Sequence, residues 1–216
     1  EGGLSVGKRM QQAVMTGVSY MVPFVAAGGL LLALGFLVGG YQIGEQVNGI
    51  DPWKQFVTEY SLTNLPPTTV DFDGKEVAFA YPAFALYLGS VLFATGQAAM
   101  GFVIAALSGY ISYAMAGRPG IAPGFVGGAI SVTLGAGFIG GLVTGLLSGA
   151  VAMWLGNQKV PKVLQSLMPV VIIPLGTSLV VGLVMFLLLG RPLAAILSGL
   201  QNWLTSMSGS SALLLG

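Results

Sequence analysis

The sequence predicts an all-α polytopic membrane protein, a bundle of about four to six transmembrane or re-entrant helices with interfacial amphipathic helices. Of the 216 residues, 55% are hydrophobic and only 7% are charged, and the mean hydropathy is +0.87. Soluble domains carry about 25% charged residues, so this chain lacks the charges that cover a water-facing surface. Its uncharged runs are also long enough to cross a bilayer. The simplest organisation is a single membrane domain, residues 1–216.

Several kinds of chemistry are excluded by the residue types that are missing. The chain has no cysteine and no histidine, which excludes disulfides, thiolate or imidazole metal sites and a Ser-His-Asp triad. The predicted spans contain no ionisable residue of the kind that marks a proton or ion pathway. We therefore predict no catalytic residue, no metal and no cofactor. No basic stripe with interleaved aromatics indicates nucleic-acid binding.

The first predicted span is the uncharged run Ala13–Val38. At about 1.5 Å per residue it is long enough for a bilayer core of about 30 Å. Lys8 and Arg9 precede it, which places the N-terminus in the cytoplasm by the positive-inside rule. Pro23 is expected to bend this helix, and Gly28-Gly29 is expected to permit the close approach of a neighbour.

Residues 39–80 form a predicted extracytoplasmic loop. They hold six of the seven acids of the chain, and Asp73-Gly74 lies between short β-prone runs as a turn signal. Two interpretations stay open. The loop is either a substrate antechamber or lid, or a solvated connector, and the connector is the simpler interpretation.

The uncharged segment Tyr81–Gly117 is too long for one ordinary span and short for two. We expect Pro82–Ala94 to lie as a helix at the outer interface and Thr95–Ala116 to cross the membrane. Small residues on the crossing predict a packing face: Gly101, Ala105 and Gly109.

The uncharged segment Ile121–Leu155 poses the same problem. Either two short antiparallel segments turn near residues 135–137, or a broken half-helix precedes one full crossing. The two arrangements place Lys159 and Lys162 on opposite sides of the membrane, and the lysines favour the cytoplasm.

A further span is predicted over Pro169–Leu189, with Pro174 inside it and an end at Gly190-Arg191-Pro192. Beyond it, apolar residues recur at helical spacing and predict an amphipathic interfacial helix: Leu193, Ile196, Leu197, Leu200 and Leu204.

A Pro- and Gly-rich turn follows the second predicted crossing and carries an isolated cation, Arg118. Exposed backbone N–H groups in such a turn could face an anion or a phosphorylated partner. The candidate partner-facing residues are Arg118, Pro119, Gly120 and Pro123. The alternative is a rigid cytoplasmic turn whose arginine sets topology.

Four glycines at four-residue spacing form one face of a predicted helix, because residues four apart are neighbours on a helix surface: Gly137, Gly141, Gly145 and Gly149. In lipid such a face marks a helix interface. It is either a dimer contact or sliding surface, or ordinary packing within the bundle.

Uncharged polar residues within the spans suit a sugar, which needs neutral donors and acceptors, and serve equally to bond helices to one another: Ser19, Tyr20, Gln97, Ser108, Tyr110, Ser131, Thr144, Thr177 and Ser178.

Four ordered stretches together resemble enzyme IIC of the bacterial phosphoenolpyruvate-dependent sugar phosphotransferase system, fructose family: Thr16–Leu30, Gly109–Gly128 with its Arg-Pro-Gly and Pro-Gly runs, Gly135–Gly141 and Ile172–Pro174. Gly117 departs from the family, which often has Asp there, and this removes a possible ion-pair partner of Arg118. The alternative is a secondary transporter or channel for a small polar solute without phosphotransferase coupling.

The resemblance implies a permease of the bacterial inner membrane, usually for fructose or a relative. Its implied partners are the IIB and IIA phosphoryl carriers, the sugar, membrane lipid and a second copy in a homodimer. The chain begins at Glu1 and ends in an apolar run at Gly216, so we expect a piece of a longer polypeptide, the N-terminal scaffold and dimerisation half. The sugar-binding residues are then expected after Gly216.

Overall fold

The computed structural model describes residues 5–215, with side chains as far as residue 209. Its strands are β1 (Thr69–Phe72) and β2 (Lys75–Ala78). Its α-helices are α1 (Val6–Gly39), α2 (Pro52–Glu59), α3 (Ala83–Gly101), α4 (Val103–Ala116), α5 (Ile121–Thr133), α6 (Gly137–Gly156), α7 (Lys162–Gln165), α8 (Ile173–Val184) and α9 (Gly190–Leu215). Glu1 and Gly216, from which we expect a piece of a longer polypeptide, lie outside the described residues.

Two compact units divide the chain. The mixed unit is Pro23–Phe102, and the helical unit contains the described residues 5–22 and 103–215. Within the described residues, four helical stretches are long and apolar enough to cross a membrane: Val6–Gly39, Ala83–Ala116, Gly137–Gly156 and Met168–Gly209. The prediction of an all-α polytopic membrane protein is therefore confirmed.

The predicted loop, residues 39–80, is a folded module within the mixed unit. β1 and β2 pair antiparallel with Val70 opposite Val77. Asp73 and Gly74 between them have φ of 50° and 91°, the backbone of a tight hairpin turn. The turn predicted at Asp73-Gly74 is thus confirmed. The module also has an aromatic core, which continues onto α3: Ile43, Val47, Phe56, Val70, Phe72, Phe79, Leu86 and Phe93.

Within the mixed unit, α3 packs lengthwise on α1 through glycines. A Cβ added at Gly35 would lie 2.9 Å from the carbonyl oxygen of Gly89, and one added at Gly96 would lie 2.8 Å from the nitrogen of Leu32. The prediction of close approach at Gly28-Gly29 is confirmed for Gly28, where a Cβ would lie 2.7 Å from Met100. Because small residues let backbones approach, these contacts fix the register of the pair.

The predicted boundary between Ala94 and Thr95 is wrong. α3 continues to Gly101, and the chain breaks at Phe102 instead. Buried residues recur along one face of α3 both before and after that boundary. A single helix therefore contains the predicted interfacial segment and the start of the predicted crossing. The predicted small-residue face also fails at Gly101, which has open space beside it, whereas Ala105 and Gly109 are buried in α4.

In the helical unit, α5 lies antiparallel to α4 and α6. A Cβ added at Gly124 would lie 2.6 Å from the Cα of Gly109, and one at Gly128 would lie 2.6 Å from the Cα of Ala105. Between α5 and α6 the chain turns at residues 134–136, where Gly135 has φ +74°. This is the arrangement with two antiparallel segments, one of the two that the sequence left open.

The helical path from Met168 to Leu215 does not end at Gly190-Arg191-Pro192, and that prediction is wrong. Single π-helical turns, Met168–Ile172 and Met185–Leu189, precede Pro174 and Pro192. In membrane helices, π adjustments re-satisfy the backbone groups that a proline frees, so the helix continues. The predicted amphipathic stripe is part of this path: Leu193 is buried, and Ile196, Leu200 and Leu204 are exposed.

Candidate functional site

Five cations of the helical unit lie at one end of it: Lys8, Arg9, Arg118, Lys159 and Lys162. α1 runs antiparallel to α4, with Gly17 against Ile111 and the rings of Tyr20 and Tyr110 stacked with centroids 4.2 Å apart. The start of α1 therefore meets the end of α4, two residues before Arg118. Arg9 accordingly lines a cavity together with Ala114 and Met115.

Lys159 joins this cationic end because α6 returns to it. Val160 packs in one cluster with Ala116, the last residue of α4, and Leu155. A cavity of about 520 Å³ lies beside this cluster, lined by Gly156, Gln158, Lys159, Val160, Gln165 and Met168. Lys162 opens the short helix α7 and is exposed. This end of the unit therefore contains a cavity that is lined in part by polar side chains, Lys159 among them.

Among the described residues of its own unit, no carboxylate side chain compensates the charge of this end. Residues 5–22 and 103–215 contain no Asp or Glu, and their sixth cation, Arg191, lies elsewhere. Gly190, next to it, packs on Leu134, at the turn between α5 and α6, which is the opposite end of the unit. The mixed unit has six acids and two lysines, a formal net charge of −4. The cationic end therefore produces a positive electrostatic potential.

The Arg118 turn is a single 3₁₀ turn, Arg118–Gly120, entered through Gly117 with φ +75°. Of the four residues predicted to face a partner, Arg118 is exposed and Pro119 half-buried, whereas Gly120 and Pro123 are buried. The N–H of Gly120 donates to the carbonyl of Gly117. Arg118 is therefore the group that this turn presents. The positive φ suits glycine at position 117.

The glycine face is placed against α4 inside the helical unit. A Cβ added at Gly141 would lie 2.9 Å from Ile104, one at Gly145 would lie 2.9 Å from the Ser108 carbonyl oxygen, and one at Gly149 would lie 2.6 Å from the sulfur of Met115. Gly137 is separate from this contact and approaches Leu197 of α9. Three of the four glycines thus form one close helix contact.

A hydroxyl cluster lies where α4, α5 and α6 meet. The hydroxyls of Ser108 and Thr144 are 2.8 Å apart, Ser131 is 3.5 Å from Thr144, and Ser148 donates to the carbonyl of Pro123 at 3.4 Å. All four side chains are fully buried. Such a closed cluster bonds helices to one another and offers no opening for a sugar.

Sequence reasoning named Ser108, Ser131 and Thr144 but missed Ser112 and Ser148. Their signal was present, because Ser112 lies four residues after Ser108, and Ser148 four after Thr144, beside the glycine face. The hydroxyls of Ser112 and Thr177 are buried without a hydrogen-bond partner. Tyr20 and Ser19 do not join the cluster, since Tyr20 stacks on Tyr110 and Ser19 bonds to its own helix.

Comparison with known proteins finds relatives along the whole chain. It is 32% identical over 96% of its length to a PTS system fructose-specific EIIC component of Haloferax volcanii. It is 33% identical over its full length to a fructose-specific EIIABC component of Bacillus subtilis, and 38% identical over 94% to a fructose-specific EIIB'BC component of Escherichia coli. The chain covers 51%, 29% and 30% of these three proteins. No protein-family model and no solved structure matches it.

Proposed function

The chain belongs to the family of fructose-specific IIC components of the phosphotransferase system, and from this we propose that it is part of a permease that takes up fructose or a similar sugar while the sugar is phosphorylated. The observation that carries the proposal is the similarity along 94–100% of the chain to proteins of that name. The membrane-spanning fold agrees with a permease.

The chain spans about half the length of the Haloferax relative and under a third of the two fused relatives. We propose that it supplies the N-terminal scaffold and dimerisation half, and that a second half holds the sugar. The hydroxyl cluster between α4, α5 and α6 supports this division, since its four side chains are fully buried and bond to one another or to the backbone rather than facing an open site. The sugar site expected after Gly216 lies outside the described residues.

The cationic end is proposed to face the cytoplasm and to meet the phosphoryl carrier. By the positive-inside rule, an end with five cations is expected there, and this supports a cytoplasmic N-terminus. A phosphorylated carrier is an anion, so a field of one sign would steer its approach and raise its association rate. Residues 39–80, acid-rich by contrast, keep their proposed extracytoplasmic location.

In the proposed reaction, the phosphoryl group moves in line from a phosphocysteine of the IIB carrier to a sugar hydroxyl. The P–S bond breaks and releases the cysteine thiolate, a P–O bond forms, and the proton of the sugar hydroxyl passes to that thiolate or to water. The described residues contain no histidine, cysteine or intramembrane carboxylate that could act as nucleophile or base. This chain's share is therefore positioning: it holds the helices in register and presents Arg118 and Lys159 to the carrier.

Uptake by vesicles that contain the complete protein tests the proposal. Right-side-out vesicles loaded with phosphoenolpyruvate and the soluble carriers should accumulate labelled fructose, and vesicles without phosphoenolpyruvate should not. Accumulation driven by a proton or sodium gradient alone would instead establish the alternative, a transporter without phosphotransferase coupling.

A further inference from the structure

We propose that a groove at the cationic end binds one acyl chain of an anionic phospholipid, whose phosphate is held by Arg9. The groove lies between the first turns of α1 and the last turns of α4 and α6, entirely within the helical unit. Neither the family relationship nor the proposed phosphoryl transfer assigns a role to it. The proposal is independent of that function.

The groove has the size and lining of a ligand site. Its volume is about 470 Å³, within the range of about 300–1,000 Å³ typical of small-molecule pockets. Six of its residues are apolar: Val6, Met10, Ala13, Ala114, Met115 and Met153. Three are polar and all come from α1: Arg9, Gln12 and Thr16. A ligand with an elongated apolar chain and a single anionic group would match this separation of apolar and polar lining residues.

The protein's own side chains leave the groove unfilled for an identifiable reason. Two of its walls are alanines, Ala13 and Ala114, which are too short to span it. Met115, which could fill it, packs on α6 instead, where Gly149 leaves room for its side chain. Met10 and Met153 are unbranched and polarisable, so they adapt to chains of varied shape.

Charge complementarity selects an anionic headgroup. Arg9 lies in the groove, and Lys8 lines the adjoining cavity with Gln11, Gln12, Met15 and Thr16. Residues 5–22 and 103–215 contain no carboxylate side chain to compete for these cations. Basic pockets between membrane helices are suited to lipid headgroups, and guanidinium binds phosphate through paired hydrogen bonds.

The groove also adjoins a residue typical of the depth at which headgroups occur. Met153 lines it, and the next residue, Trp154, is 63% exposed. Tryptophan is enriched at the membrane–water interface. Arg9 therefore lies at the polar end of an apolar span, with an interfacial aromatic at the same end, and an acyl chain below it would run along α1.

The experiment uses the full chain in nanodiscs of phosphatidylcholine with a minor fraction of spin-labelled phosphatidylglycerol, without any carrier protein. The immobilised lipid fraction gives the selectivity for phosphatidylglycerol over labelled phosphatidylcholine. Arg9→Gln should reduce this selectivity about fivefold, since one cation near the surface contributes about 1 kcal/mol to anionic-lipid binding. The matched control is Lys162→Gln, at the same end but outside the groove, and it should change the selectivity by less than about twofold.

A second pair tests the apolar part. Ala114→Trp fills the groove without changing charge and should displace the immobilised lipid, whereas Ala122→Trp, at an exposed position outside the groove, should not. Thermal unfolding in pure phosphatidylcholine confirms that each variant folds. Equal losses for Arg9→Gln and Lys162→Gln would show unspecific attraction by the cationic end and overturn the proposal. Retention of phosphatidylglycerol by a folded Ala114→Trp variant would overturn it as well.

Discussion

The hydroxyl oxygens of Ser108 and Thr144 lie 2.8 Å apart between α4 and α6, and both side chains are fully buried. Gly145, next to Thr144, brings the two backbones together, because a Cβ there would lie 2.9 Å from the carbonyl oxygen of Ser108. Close backbone approach and a buried hydrogen bond thus occur at the same contact. In lipid, where apolar burial does not distinguish helix partners, this combination specifies the pairing.

Removing this hydrogen bond should destabilise the helical unit measurably. Ser108→Ala and Thr144→Val should each reduce the free energy of unfolding by about 1 kcal/mol, with a coupling of about 0.6–1.7 kcal/mol in the double-mutant cycle. Unfolding in mixed micelles provides the measurement. Thr133→Val is the control, because that hydroxyl is exposed and bonds to its own helix. Zero coupling would show that the two hydroxyls do not stabilise one another.

The glycine face should tolerate no side chain at Gly145. Gly145→Leu would drive its Cβ into Ile111 and the Ser108 carbonyl, so α4 and α6 must separate, and we expect a loss of about 3 kcal/mol. Gly29→Leu is the matched control, since that helical glycine has open space beside it. Unfolding and protease resistance measure both variants. An unchanged Gly145→Leu protein would mean that this contact does not form.

The hairpin turn of the mixed unit should depend on Gly74. Its φ of +91° is costly for any residue with a Cβ, so Gly74→Ala should weaken the hairpin by about 1–3 kcal/mol. Hydrogen exchange of the amides of β1 and β2 in the full chain measures this locally. Gly49→Ala, at φ +80° with open space but outside the hairpin, is the control. Unchanged protection in β1 and β2 would contradict the turn geometry.

Where local chemistry decides the structure, the sequence was informative. Asp73-Gly74 predicts its turn, because few other residue pairs adopt positive φ at both positions. The long uncharged runs predict the membrane spans. The helix break at Phe102 was not predictable, since neither Gly101 nor Phe102 is a strong breaker. The continuation of the helix through Pro192 was not predictable for a related reason. A π turn keeps the helix intact, and whether such a turn forms depends on packing that no local sequence pattern records.

The candidate site was predictable only in part. Arg118 was identified from its Pro- and Gly-rich surroundings, and its turn does present the side chain. The cationic end as a whole depends on α5 and α6 folding back antiparallel, which the sequence left as one of two arrangements. The Ser108–Thr144 pair depends further on the rotation of two helices, because the two residues are 36 positions apart in sequence.

Neutralising the cationic end should slow the carrier reaction and leave the fold intact. In the complete protein, the double change Lys159→Gln and Lys162→Gln should lower the rate of sugar phosphorylation at low salt by about tenfold or less, with the difference shrinking as salt screens the field. Arg191→Gln, at the opposite end of the helical unit, is the control and should have no such salt-dependent effect. A loss that is equal at low and high salt would exclude electrostatic steering.

Cross-linking tests most directly the claim that the cationic end meets the phosphoryl carrier. This chain has no cysteine, so once any cysteines outside it in the complete protein, a fused carrier included, are replaced by serine, single cysteines at Gln158 or Thr133 can each carry a photoreactive label. Gln158 lines the cavity of the cationic end, and Thr133 is exposed at the opposite end of α5. The IIB carrier, whether fused or separate, should be captured from Gln158→Cys and not from Thr133→Cys. Capture from Thr133→Cys alone, or equally from both positions, would contradict the account.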